Sequence, residues 1–218
     1  AGASVPGPSP RRRRRPGDRR AAAGDNAQKV IEALRHAAST VVTARIKEIE
    51  PLLSDMYSRI DAHPAFRAVG FLASIMRGKG QLATVVRDPV SAVESSSPER
   101  VLSSSQMNAL AVCAFLSLNL GVAHPPLDAA ILDDPLQSLD DINLLGLIDL
   151  LRRTKDQRQL FVSTHDVRFG DLLARKLRPR SSDQRTLVIE LDAWNRQGPN
   201  VSTREVKCDP VPLRLIAS

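Results

Sequence analysis

At 218 residues the chain is long enough for one domain with a proper core plus appendages. Apolar residues make up 42% and aromatic residues only 3%, so that core must be aliphatic. The formal charge of +7 suggests nucleic acid, yet residues 1–20 hold seven arginines against Asp18 and leave a net +1 for everything after them, so the high charge describes the first segment and says little about the folded surface.

The first segment, through about residue 25, is rich in Pro, Gly and Arg, has almost nothing to bury, and reads as a disordered arm. Such an arm either grips a phosphate backbone or is a solvated extension. No apolar run is long enough to span a membrane, and no apolar segment follows the arginines as a signal peptide requires. Cys113 and Cys208 stand far apart in no metal-ligand spacing. Cys113 falls among apolar helix positions, so a buried thiol and a reducing cytoplasm are expected.

Residues 26–62 form a helical stub. Val42, Ile46, Ile49, Leu53, Met56 and Ile60 alternate spacings of four and three, a seam that suits a coiled coil or an amphipathic helix packed on a domain. Pro51 interrupts the run, and the pattern predicts one helix ending near Glu50 and another starting with Pro51 in its first turn. His63-Pro64 closes the region, and residues 63–218 make up the remaining lobe.

Apolar stretches between Gly70 and Val93 predict strands at a sheet edge. Gly78-Lys79-Gly80 between them fails as a phosphate loop, because Ala73 replaces the first glycine of GxxxxGK and Gly80 the following hydroxyl. It reads as an ordinary turn. The turn Leu102-Ser103-Ser104-Ser105-Gln106 opens a helix from about Ser105 to Leu120, and its serines can cap that helix or leave a natural anion site at its N-terminus.

Strand 129–133, a helix from about Leu139 to Arg153 and strand 159–163 make one βαβ unit with parallel strands. Both strands are apolar runs without alternation, as expected of strands covered on both faces. Asp133 and Asp134 end the first strand in tandem, and Ser163-Thr164-His165-Asp166 ends the second. Both ends lie at the carboxyl edge of the sheet, where open α/β folds bind ligands. Adjacent carboxylates repel unless a divalent cation or a proton offsets the cost, which allows one acid to hold magnesium and its neighbour to polarise a water. With no second His or Cys at ligand spacing, a zinc site is not expected. A helix near Phe169–Leu177 follows, and Thr186–Leu191 with Val201–Val206 predict a hairpin around Gln197-Gly198-Pro199-Asn200.

The three segments together, over residues 102–166, resemble the signature motif, Walker B, D-loop and switch histidine of the ABC ATPase superfamily. The likeness is nearest to SMC-type and double-strand-break-repair ATPases, whose heads are split by a long coiled coil. It implies an α/β, P-loop NTPase-like fold: the C-terminal lobe of an ABC/SMC head with parallel strands, preceded by the coiled-coil stub and the basic arm.

By position, the resemblance implies that Ser103, with Ser104, Ser105 and Gln106, contacts the γ-phosphate of ATP on an opposite head. Asp133 orders Mg2+, Asp134 takes the general-base position, Asp140 communicates across the dimer and His165 senses the γ-phosphate. Ser104 and Ser105 replace two signature glycines, which restricts backbone approach to phosphate, and Asp134 is one methylene shorter than the usual Glu.

The implied partners are an N-terminal Walker A lobe (from another chain or a missing segment), a second copy engaged head to head through ATP, and DNA, in repair or genome defence. Alone, the chain is expected to bind ATP poorly and hydrolyse none. The rival readings are a non-enzymatic nucleic-acid-binding module using the arginine arm, or a degenerate head serving in assembly.

Overall fold

A computed structural model describes residues 16–60, 63–76, 79–135 and 141–208. Among them, residues 16–45 and 73–82 form one compact unit, and residues 46–72 and 83–208 form the other.

The first element, α1, runs Pro16–Ile60 as a single helix with Pro51 inside it. Two sequence expectations are corrected here: residues 16–25 are helical rather than part of a disordered arm, and the helix does not break at Pro51. Pro51 lies on the exposed side, so the hydrogen bond it cannot donate is missing on the face toward water. Ile49, Leu53, Met56, Tyr57 and Ile60 around it are buried, and their packing holds the helix through the proline. Of the expected seam, residues from Ile46 onward are buried in the second unit, whereas Val42 in the first unit is 49% exposed.

Strands β1 (Ala68–Met76), β2 (Lys79–Arg87) and β3 (Glu94–Ser95) lie in that order in one sheet, with β2 and β3 antiparallel. Lys79 and Gly80 therefore begin a strand, and Gly78 lies outside the described residues. Two side chains of α1 tie to β1: the Glu50 carboxylate accepts from the Phe71 amide at 2.9 Å, and the Ser54 hydroxyl donates to the Val69 carbonyl at 2.8 Å.

A short 3-10 turn, Pro98–Arg100, leads to α2 (Ser104–Gly121), whose Ala109, Leu110, Val112, Cys113 and Leu116 are buried. β4 (Ala129–Asp133) and β5 (Gln159–Ser163) pair in parallel around α3 (Asp141–Thr154), in register from Ala129 opposite Gln159 to Asp133 opposite Ser163. The core closes with Leu147 and Leu151 of α3 and Phe169 of α4 (Val167–Lys176), all buried.

Contrary to the expectation of full coverage, the β4–β5 sheet is open on one face. Ile131 and Phe161, paired across the two strands, are 62% and 48% exposed. An aliphatic run shows only that both faces suit an apolar neighbour; whether that neighbour is present in the chain is a tertiary matter.

β6 (Thr186–Asn195) and β7 (Gly198–Val206) form an antiparallel hairpin longer than expected. Its turn tightens to Arg196 and Gln197, while Pro199 and Asn200 join β7. Gly198 enters β7 at φ 115°, a region side-chain-bearing residues rarely adopt.

Candidate functional site

The carboxyl edge of the β4–β5 sheet gathers the polar residues. Asp133 and Ser163 are register partners at the two strand ends, and the Ser163 hydroxyl donates to Asp133 Oδ1. The Asp134 amide continues the ladder, donating to the Ser163 carbonyl at 3.0 Å. Asp134 then turns into the left-handed region, φ 44°. Outside Gly, Asn and Asp this conformation is uncommon, and it carries local strain that surrounding contacts must hold.

Those contacts are present. His165 Nδ1 lies 2.8 Å from Asp134 Oδ2, and the Thr164 hydroxyl donates to Asp134 Oδ1 at 3.4 Å. The Asp134 side chain is 20% exposed and the imidazole 81%, so the ring lies on the solvent side of the pair. Thr164 Oγ1 also accepts from the Asp166 amide at 3.1 Å, and Asp166 caps α4 by accepting from the Phe169 amide at 3.1 Å. The strand end and the start of α4 are thus tied by hydrogen bonds through Thr164 and Asp166, which flank the histidine.

The serine-headed helix is fixed at the same edge. At its first turn Ser103 and Gln106 make a capping box: the Ser103 hydroxyl accepts from the Gln106 amide at 3.2 Å, and Gln106 Oε1 accepts from the Ser103 amide at 3.0 Å. Two asparagines then staple α2 along β4. Asn108 donates to the Pro135 carbonyl at 3.3 Å just past Asp134, and Asn119 donates to the Ala129 carbonyl at 3.0 Å, where β4 begins. α2 therefore runs antiparallel to β4, with its N-terminus on the side of the two aspartates. Ser103 and Ser104 are exposed, and the Ser105 hydroxyl is buried without a hydrogen-bond partner among the described residues.

Asp133, Asp134 and His165 are therefore adjacent, and Ser103 to Gln106 head a helix pointing to the same edge. Asp140 lies outside the described residues. Residues that sequence reading did not single out are Ser163 and Thr164, which orient the carboxylates, and Asn108 and Asn119, which orient the helix. The hydroxyls had a local signal, sitting immediately before the histidine; the asparagines had none, since their partners are 27 and 10 residues away.

For a divalent cation, the donor set is hard oxygen: two carboxylates with two hydroxyls beside them. No group of three or more metal-binding side chains occurs among the described residues. Mg2+ keeps several waters and takes one or two carboxylates together with substrate phosphates. No helix among the described residues is long and apolar enough to cross a membrane.

No family model and no curated protein matches the sequence. Solved structures do match in fold. A head from work on ATP-driven dimerization and DNA-stimulated activation of SMC ATPases is 14% identical at TM-score 0.51, over 78% of this chain and 90% of that one. The Smc head of Pyrococcus furiosus, with an extended coiled coil and bound to the C-terminal domain of ScpA, is 13% identical at TM-score 0.53, over 83% and 40%. The Smc head of Pyrococcus yayanosii, with a coiled coil and joint, is 12% identical at TM-score 0.53, over 88% and 33%. The chain thus has the fold of an SMC head domain. It spans nine tenths of the first of these proteins but well under half of the two Pyrococcus heads.

Proposed function

We propose that this chain is the C-terminal lobe of an SMC-like ATPase head, which binds and hydrolyses ATP once an N-terminal lobe supplies the Walker A loop. The observation that carries the reading is the convergence of Asp133, Asp134 and His165 at one sheet edge, with the serine-headed α2 aimed at the same end. Asp133 would hold Mg2+, its carboxylate already oriented by Ser163. The ion supplies neutralisation of phosphate charge when bound. Asp134 would accept the proton of the attacking water, and His165 would present its ring to the γ-phosphate.

In the structure His165 Nδ1 lies 2.8 Å from Asp134 Oδ2, so the histidine sits against the carboxylate until a phosphate draws the ring away. Ser103, Ser104, Ser105 and Gln106 would meet the nucleotide of an engaged second head, with Asp140 relaying across that dimer. The capping box leaves Ser104 as the exposed hydroxyl not committed to the helix end. The open apolar face at Ile131 and Phe161 favours a partner lobe over a self-sufficient binding module, since monomers seldom leave a paired Ile and Phe of one sheet face uncovered. Coupling of head engagement to DNA, in repair or genome defence, completes the proposal.

The test is ATP turnover by the chain reconstituted with an SMC-like Walker A lobe, measured beside Asp134→Asn. Removal of a general base lowers the rate about 10²–10⁴-fold. Turnover by Asp134→Asn at the unaltered rate would refute the assignment and favour a degenerate head.

A further inference from the structure

An open groove of about 470 Å³ lies between α4 and β7, lined by Arg168, Asp171, Ala174, Arg175, Arg204 and Val206. Arg168, Asp171 and Arg175 share one helix face at spacings of three and four. Two carboxylates beside the groove, Asp171 at 3.0 Å and Glu190 at 3.4 Å, share the guanidinium of Arg204, and Glu205 pairs with Arg185 at 2.9 Å. By contrast, Arg168, Arg175, Lys176 and Arg178 are exposed and form no ion pair among the described residues. A basic stripe thus runs along α4 and just past its end, and the one acid between its first two arginines, Asp171, is paired with Arg204 of β7.

We infer that this groove binds the phosphodiester backbone of a nucleic acid. Guanidinium forks match phosphate oxygens in bidentate geometry. Seven helical residues separate Arg168 from Arg175 by roughly 10 Å along the axis, far enough for the two guanidinium groups to take different phosphates of one strand. The groove has no enclosing wall and its charge is spread lengthwise, a shape suited to a polymer rather than to one phosphate. The candidate nucleotide edge contributes none of the lining residues, so the inference holds or falls independently of the ATPase reading.

The experiment uses the full chain without nucleotide, titrated into fluorescein-labelled single-stranded and duplex DNA between 50 and 300 mM KCl (roughly the range over which phosphate contacts are lost). Arg168→Gln/Arg175→Gln should weaken binding at least tenfold at the low-salt end. It should also reduce the slope of log K against log salt by about 1.4 on single strands and about 1.8 on duplex, the loss of two phosphate contacts. Arg168→Lys/Arg175→Lys, which keeps the charge, should retain the slope, and that retention shows that the loss is not one of folding. Arg11→Gln/Arg12→Gln makes the same charge change in the arm. If it costs as much as the groove variant, or if the groove variant keeps the native slope, the inference is overturned. Displacement of the DNA by millimolar orthophosphate at matched ionic strength would overturn it too, in favour of a small-anion site.

Discussion

Adding one methyl group at Gly146 should destabilise this protein, although the same change in an open helix stabilises. Gly146 sits in α3 where that helix crosses the end of α1. A Cβ built there falls 2.6 Å from the Arg59 carbonyl oxygen and 2.9 Å from the Ile60 Cα. Both are backbone atoms, and Tyr57 and Ile60 beside them are buried, so neither can swing aside as a side chain would. Ordinary contact near 3.5 Å requires the helices to part by about 1 Å. Overpacking of this kind costs about 1–3 kcal/mol, while replacing a helical Gly by Ala gains about 1 kcal/mol. Because the clash is with backbone, the upper part of the cost applies, and Gly146→Ala should lose about 1–2 kcal/mol net. For a domain of this size that lowers Tm by roughly 2–8 °C.

Urea unfolding followed by circular dichroism at 222 nm should show a lower midpoint at unchanged slope. Gly24→Ala is the matched control: nothing lies within 4 Å of its added Cβ, so it should raise helicity. A Gly146→Ala midpoint at or above the unaltered protein's would refute the close packing of α3 on α1. A loss of helicity in Gly24→Ala would refute the propensity half of the reasoning.

Arg158→Ala should cost about 2–3 kcal/mol in the same assay. The guanidinium is 12% exposed, donates to the carbonyls of Asn119 and Val122, and pairs with Asp128 at 3.0 Å. Cys113 is buried and its thiol is pushed up to about 12 by burial, whereas Cys208 is exposed. Native protein should therefore take up one equivalent of iodoacetamide at pH 8 and two in urea, as read by mass. The neutral thiol contribution is fully present below the unfolded value of about 8.5 and is lost as pH rises toward 12, so Cys113 should stay protected at pH 9 and above while the fold persists. Two equivalents in native buffer would contradict the burial of α2. Ile131→Thr should change the stability of this chain by no more than about 0.5 kcal/mol, because the side chain is 62% exposed. It should still weaken association with a Walker A lobe in a pull-down; unchanged association would exclude the open sheet face as the contact.

Local chemistry wrote much of this fold directly into the sequence. β4 and β5 were legible as short aliphatic runs ending in polar residues, and α2 as a serine-rich turn ahead of an apolar run, because each signal is complete within a few consecutive residues. The paired aspartates and the histidine were legible as strand ends for the same reason. Tertiary structure alone decided the rest. Burial of Leu53, Met56 and Tyr57 carried α1 through Pro51 against its local preference. Contacts with residues far along the chain turned Asp134 toward His165 and Thr164. The openness of the sheet face at Ile131 and Phe161 depends on what packs against it, and an apolar side chain reads the same whether its neighbour is present or absent.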